Sequence, residues 1–347
     1  LSDIINNNHS HFYFIMKPQS LSLLSVAVLA AITSTSTLAQ ISAASQTIST
    51  GPVVVTASRT EKVLNEVPSS VVVVTGGQLE QENPRTLGDA LLDIPNVMLE
   101  APESPVFTRI SIRGSDSDQI SYLIDGVRQD NYTMSGNRPA FMFVDPEMIK
   151  QVEVRRGGGS SLYGNGGIGG TIAVTTKTAG DLLKPGRDFG ARLKLGYNDD
   201  DREFGQSAWL FGRKGPVDAV IGFSHRDGGK IISSSNGRRS KTLRDSKYDA
   251  FTSKFTITPT DNSLVSVGYN YDDTKLDQGS SGDETKYRLK QHRLTGRWEY
   301  SYGDYVDLVV NMQYTKLDNK FDGTSYNPEA YFKDDYESYS INAQNTS

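Results

Sequence analysis

The chain has 347 residues, a formal net charge of −5 and no cysteine. The acidic balance gives no signal for nucleic acid, and the missing thiols exclude a disulfide framework, thiolate metal sites and a cysteine nucleophile. Past the N-terminus no run approaches the ~18 apolar residues of a membrane helix, but a β-barrel stays open, because its strands alternate apolar with polar residues and average to a hydrophilic value.

The first element is a targeting segment. Met16-Lys17 is followed by an apolar, small-residue run over 21–32 and a Ser/Thr-rich stretch ending Thr37-Leu38-Ala39-Gln40. A basic start, an apolar core of about a dozen residues and a small-residue end predict a signal peptide cut after about Ala39. Residues 1–15, which begin at Leu1 and contain Asn6-Asn7-Asn8, read as upstream sequence, with Met16 the start. Residues 1–39 are therefore expected to be absent from the mature protein.

Residues 40–59 divide into a Ser/Thr/Ala/Gln linker and, after Gly51-Pro52, the β-prone run Val53-Val54-Val55-Thr56-Ala57. Such a run suits either a strand of the next domain or a free edge strand that pairs with a partner.

Residues 60–180 read as an α+β domain. Residues 71–75 form a buried-type strand closed by Gly76-Gly77, and Thr86 with Asp89 forms a capping box. The box opens a short helix with Leu87, Ala90, Leu91 and Ile94 at helical spacing, ended by Pro95. Short strands are predicted over 110–113 and 122–124, the second closed by the turn pair Asp125-Gly126. Asp145 with Pro146 begins a further short helix, which leads into a strand over 151–155. A glycine-rich stretch over 157–170 precedes a last strand, 171–176. That stretch lacks a Gly-Lys-Ser/Thr ending and opens a strand where a nucleotide loop opens a helix, so it reads as tight turns.

From 187 to 347 the period changes to two. Phe189, Ala191, Leu193, Leu195 and Tyr197 alternate with small or polar residues, as do Val217, Ala219, Ile221 and Phe223. The same holds for Val265, Val267, Tyr269 and Tyr271, and for Val306, Leu308, Val310, Met312 and Tyr314. Each run is about ten residues, the length of a tilted membrane-crossing strand. Polar separators are predicted at 199–201, 226–247 and 272–285, with short and long connections alternating. About eight strands fit, fewer than a wide barrel with a filled lumen needs. The expected fold is an α+β plug domain followed by the first strands of an antiparallel transmembrane β-barrel, incomplete in this chain. A soluble antiparallel sandwich has the same period and is the alternative.

In order and spacing these segments resemble the TonB-dependent receptor family from about Gly51 onward. The resemblance is carried by Val53-Val54-Val55-Thr56-Ala57, Val67-Pro68-Ser69-Ser70, Leu87-Gly88-Asp89-Ala90-Leu91, Ile112-Arg113-Gly114 and Leu123-Ile124-Asp125-Gly126-Val127. It continues through 149–154, Arg156-Gly157, Ser160-Ser161-Leu162-Tyr163-Gly164 and Gly169-Gly170-Thr171-Ile172. The stretch 159–185 and Ile124-Asp125-Gly126-Val127-Arg128-Gln129 look most like the haem and haemoglobin receptor branch.

The resemblance implies a bacterial outer-membrane importer of an iron-bearing ligand, with no enzymatic activity. Val53, Val54, Val55, Thr56 and Ala57 would bind TonB, the periplasmic coupling partner, by β-augmentation. Arg113, Asp125, Glu153, Arg155 and Arg156 would make polar plug–barrel contacts. The other partners implied are outer-membrane lipid and an iron-bearing small molecule or haem protein. No permanent cofactor and no protein metal site is implied; haem or a ferric chelate is the transported ligand. A haem ligand from His or Tyr is expected on an outward plug loop, yet His9, His11, His225 and His292 all lie outside the plug. Tyr132, Met134 and Met142 are the loop's ligand-binding candidates. A ferric-siderophore receptor is the second reading and a non-transporting adhesin or porin the third.

Overall fold

The structure is a computed structural model that describes residues 53–54, 62–63, 70–100, 109–129, 144–158, 167–199, 202–229, 232–235, 238–241, 243–280, 283–303, 305–323 and 331–345. The targeting segment, the linker, Val55, Thr56 and Ala57, the loop bearing Tyr132, Met134 and Met142, and residues 159–166 lie outside them.

β1 (Val53–Val54) pairs antiparallel with β2 (Lys62–Val63), so Val53 and Val54 are paired within the chain rather than isolated. β3 (Ser70–Thr75) follows as predicted, but Gly76-Gly77 does not close it into a loop. Gly76–Glu82 is an α-helix. The cause is a capping box that the sequence contains as Thr75-Gly76-Gly77-Gln78. The Thr75 hydroxyl accepts from the Gln78 N–H at 3.4 Å, and the Gln78 Oε1 accepts from the Thr75 N–H at 2.9 Å. Two satisfied end groups offset the poor helix propensity of two glycines. Gly76 is also required sterically, since a Cβ there would lie 2.9 Å from the Lys150 carbonyl oxygen.

The second box is present: the Asp89 N–H donates to Thr86 Oγ1 at 3.1 Å and the Thr86 N–H to Asp89 Oδ2 at 3.0 Å. It opens only a 3-10 turn, Asp89–Leu91, because Pro95 biases the residue before it away from helical angles. The face is nevertheless the one expected, with Leu87, Ala90, Leu91 and Ile94 all buried.

β4 (Val97–Glu100) and β5 (Arg109–Ile112) form a hairpin. A 3-10 turn, Ser117–Gln119, leads into β6 (Ile120–Ile124), which Asp125-Gly126 joins to β7 (Val127–Arg128). Both turn residues have positive φ, 47° and 81°, as a two-residue type I′ hairpin demands. Asp145 caps the 3-10 turn Pro146–Met148 by accepting from the Glu147 N–H at 3.0 Å. β8 (Ile149–Arg156) and β9 (Gly170–Thr176) complete a five-stranded sheet of order β3-β8-β9-β6-β7. Only β6 and β9 pair in parallel. Every residue of β6 is buried, and Ile110, Ile112, Ile149 and Ile172 fill the same core. The short helix Ala179–Leu182, boxed by Thr178 and Asp181, then leads out of this domain.

The wall follows as β10 (Phe189–Asn198), β11 (Glu203–Lys214), β12 (Val217–Gly228), a small hairpin of β13 (Ile232–Ser235) and β14 (Arg238–Lys241), then β15 (Leu243–Thr260), β16 (Ser263–Ser280), β17 (Asp283–Tyr302), β18 (Val306–Gly323) and β19 (Tyr331–Asn345). Eight of these form one antiparallel meander, β10-β11-β12-β15-β16-β17-β18-β19, with β10 and β19 at its edges. The turns at 215–216, at 261–262 and at Gly303 share one end of the sheet; the connections at the other end are mostly longer in sequence.

Two of the expected separators, 226–247 and 272–285, are corrected, while 199–201 falls between β10 and β11 as expected. β12 runs on through His225 to Gly228, β15 begins at Leu243, and β16 and β17 stay paired out to Ser280 and Asp283. Strands β15–β18 are therefore 18–20 residues long rather than about ten. Their polar ends carry diagonal cross-strand ion pairs, as in Arg288 with Asp273 at 2.8 Å, and Leu276, Leu289 and Leu317 pack together on the inner side.

The two faces of the wall decide between barrel and sandwich. Leu193, Leu210, Phe255, Val267, Met312 and Ile341 point outward and are exposed, whereas Ser224, Thr252, Ser266, Arg293 and Asn311 point inward and are buried. A soluble sandwich buries its apolar face. A sheet that exposes that face and buries the polar one is built for lipid outside and a filled lumen inside.

Two substitutions test the domain's construction. Thr75→Ala is expected to cost about 1 kcal/mol through the lost cap. Leu91→Ala should cost about 2–5 kcal/mol through the cavity it leaves. Equilibrium urea unfolding of the purified chain measures both.

Candidate functional site

The five-stranded domain rests on the inner wall through contacts that are mainly charged or polar. Glu80, on the helix that Gly76-Gly77 opens, accepts from Arg192 of β10 at 2.7 Å and from Lys177 at 3.3 Å. Glu147 pairs with Lys194 and, at 3.9 Å, with Arg192. Asp145 uses one oxygen both to cap its turn and to accept from Arg226 of β12 at 3.2 Å, while Arg226 also donates to the Arg85 carbonyl. A cavity of about 650 Å³ lies beside these pairs, lined by Glu82, Arg85, Asp93, Glu203 and Arg226 among others.

A second cluster forms at the Asp125-Gly126 turn. Asp125 accepts from the Thr176 N–H at 2.8 Å and its hydroxyl at 2.6 Å, and pairs with Lys254 of β15 at 3.2 Å. Lys254 also donates to Thr176 Oγ1 at 2.7 Å. Arg297 of β17 donates to the Asp125 carbonyl at 3.4 Å, and Gln129 exchanges amide hydrogen bonds with Gln313 of β18 at 2.9 and 3.3 Å.

At the short-turn end, Asp218 of β12 accepts from the Ala179 and Gly180 N–H groups at 2.8 and 3.0 Å and from Arg213 at 2.9 and 3.0 Å. An apolar patch adjoins it, with Met148 and Ala179 against Trp209, Phe211 and Val220.

Electrostatics follows this geometry. Burial alone would push the Asp125 carboxyl up, but the Lys254 ammonium and the Thr176 hydrogen bonds outweigh it and hold the group below the usual carboxylate range. For Glu80 the hydrogen bond from Arg192 is the largest influence; burial opposes it, and with Lys177 it holds that carboxyl low as well.

Of the residues singled out in the sequence, Asp125 reaches the wall. The hydrogen bonds of Glu153 with Gln151, at 2.9 Å, and of Arg156 with the Pro95 carbonyl, at 3.1 Å, lie inside the domain. Arg155 lies on β8, and Arg113 follows β5 with φ of 53°. Val53 and Val54 form β1. Glu80, Glu147, Arg192, Arg226 and Lys254 went unmarked, and Asp145 was marked only as a cap, because each is an ordinary charged residue until the fold brings it to its partner on the other domain. His225 bonds Asp249 at 2.6 Å and His292 bonds Tyr269 at 2.8 Å, both on the outer face. Among the described residues no cluster of three or more His, Cys, Asp or Glu could hold a metal ion.

Residues 63–171 match the family described as TonB-dependent Receptor Plug Domain. This stretch is similar to the plug of TonB-dependent receptors. The plug is similar in its surroundings to known proteins too. The chain is 34% identical over 183 residues to the hemin receptor of Yersinia pestis, covering 53% of this chain and 27% of that protein. It is 38% identical over 112 residues to the heme/hemopexin utilization protein C of Haemophilus influenzae, covering 32% and 15%. Against the transferrin-binding protein A of Neisseria meningitidis serogroup B it is 34% identical over 145 residues, covering 36% and 16%. The chain thus spans about a quarter of the length of the hemin receptors it matches.

Among solved structures, FpvA of P. aeruginosa bound to heterologous pyoverdines superposes with TM-score 0.68 at 15% identity, over 85% of this chain and 42% of that one. The FrpB iron transporter of Neisseria meningitidis superposes with TM-score 0.66 at 17% identity, over 79% and 46%. At such identities the likeness speaks for the fold alone, a plug against an antiparallel wall. Plug and wall together place the chain in the outer membrane.

The plug–wall ties give a prediction. Lys254→Met strands the Asp125 carboxylate and should lower plug stability by about 3 kcal/mol, while adding Asp125→Asn should recover part of the loss. Urea titration with protease accessibility of the plug reads both. Since Asp125 and Glu80 titrate below their ordinary values, their ties are complete above about pH 4 and weaken as pH falls through the depressed values. The same titration repeated at falling pH should therefore show earlier plug release, and less of that pH effect without Lys254.

Proposed function

We infer that the chain serves active import of an iron-bearing ligand, with haem first, and that the plug is the moving part. The observation that carries this reading is the plug–wall interface. Ion pairs and amide contacts hold the plug in place, and water can replace them when it moves, so displacement exposes little apolar surface. A passive pore needs no folded domain seated in its lumen, and an adhesin needs no interface built for release.

Haem is favoured by the sequence relatives, whose names include hemin receptor and heme/hemopexin utilization protein. A ferric siderophore is the second reading, favoured by the ligand of the superposed FpvA and by the absence of histidine from 60–180. In both, a segment at 53–57 would be drawn by TonB from the periplasm, where short turns face, while ligand enters from the long-loop side. β1 holds only a two-residue ladder, so a partner strand can replace β2 at small cost. Residues 1–39 fit a signal peptide, 40–59 a linker with the coupling segment, and 60–180 the plug within its barrel, 187–347.

Deleting residues 53–57 from the full-length receptor is expected to abolish uptake of radiolabelled haem while leaving haem binding at the cell surface intact. Uptake at the undeleted rate would sink the coupled mechanism. Growth of an iron-starved strain on haem but not on ferric siderophores would separate the two ligand readings.

A further inference from the structure

Cross-strand register on the outer face sorts side chains into rows. One row is aromatic, with Phe223, Phe251, Tyr271 and His292 directly opposite one another on β12 and β15–β17. Four residues further toward the long-loop end, roughly 13 Å along each strand, lies a row of different character. It is Lys247, Lys275, Arg288, Lys320 and Lys333, each facing the next across β15–β19.

Like charges directly opposite in a sheet repel, so five in sequence is a costly arrangement for an unliganded surface. Neighbouring acids relieve part of it. Arg288 reaches Asp273 at 2.8 Å, Lys247 reaches Asp227 at 3.1 Å and Lys333 reaches Asp335 at 3.2 Å. Acids of the rows on either side also include Asp249, Asp277, Asp318 and Asp322. Among the described residues, however, neither Lys275 nor Lys320 has an acidic partner.

We propose that this row binds the phosphates of lipid headgroups in the outer leaflet of the membrane. The row faces away from the lumen and lies one headgroup depth beyond the aromatic row that marks the end of the acyl region. Phosphates of the surrounding leaflet meet such a belt from the side along its whole length, and anionic headgroups attract basic side chains at that level. The bonds would anchor the rim of the wall while the plug moves inside it. The proposal rests on the outer-membrane reading above.

The test uses the full-length receptor purified from outer membranes and vesicles of phosphatidylcholine that carry either bis-phosphorylated lipid A or the same lipid after phosphatase treatment. The phosphorylated vesicles are expected to raise the melting temperature and the dephosphorylated ones to leave it unchanged. Lys275→Gln with Lys320→Gln should weaken binding roughly tenfold or more, and Lys275→Arg with Lys320→Arg should retain it. Indifference to the lipid phosphate, or full binding by the glutamine variant, would overturn the proposal. Equal stabilisation by inorganic phosphate would overturn the lipid assignment. Extraction of the receptor from membranes by alkaline carbonate would overturn the membrane reading and the proposal with it, whereas a carbonate-resistant receptor that ignores the phosphate overturns the proposal alone.

Discussion

The plug is held to the wall by pairing charges and amides across a lumen, and the remaining architecture is arranged around that interface. Partly buried ion pairs add little net stability when they form, because desolvation offsets attraction, but they strongly penalise a wrong partner. Asp125 with Lys254, Glu80 with Arg192 and Asp145 with Arg226 therefore set where the plug sits more than how firmly. An apolar interface of the same size would be costly to open at about 25 cal/mol per Å² exposed. The apolar exception, Met148 and Ala179 against Trp209, Phe211 and Val220, lies beside the covalent link from plug to β10, where the two cannot separate in any case.

The same constraint explains the wall. Its strands meet lipid on one side and a folded polar surface on the other, so period two carries apolar residues outward and hydroxyls, amides and charges inward. Several inner residues then tie the wall to the plug. Asp218 caps the backbone N–H groups that begin the plug's last helix, and Arg297 meets the back of the Asp125-Gly126 turn. A wall of this kind specifies its plug through side chains that look like ordinary solvated polar residues in the sequence.

That is why legibility was uneven. Period two identified the wall and the number of its strands, and Asp125-Gly126, Thr86 with Asp89 and Asp145-Pro146 located real turns and caps, because each is a local rule. The Thr75 to Gln78 box was equally local and was masked by reading two glycines as a terminator. The ends of β15–β18 were hidden for another reason: a polar strand stabilised by cross-strand charges has the composition of a loop. Arg192, Arg226 and Lys254 were not legible at all, since their partners lie 112, 81 and 129 residues away.

Asp125 shows how local and long-range demands meet in one residue. Its backbone must hold φ of 47°, which favours Asp, Asn or Gly, and this demand is visible in the dipeptide. Its carboxylate must then satisfy Thr176 and Lys254 together, which leaves only Asp of the three. Asparagine would keep the turn and lose the charge; glutamate would keep the charge and strain the turn. The dipeptide therefore has two independent reasons to be what it is, and the one that concerns plug position emerges only when β15 is folded beside it. A position doubly constrained in this way couples the geometry of a hairpin inside the plug to the seating of the whole plug on the wall.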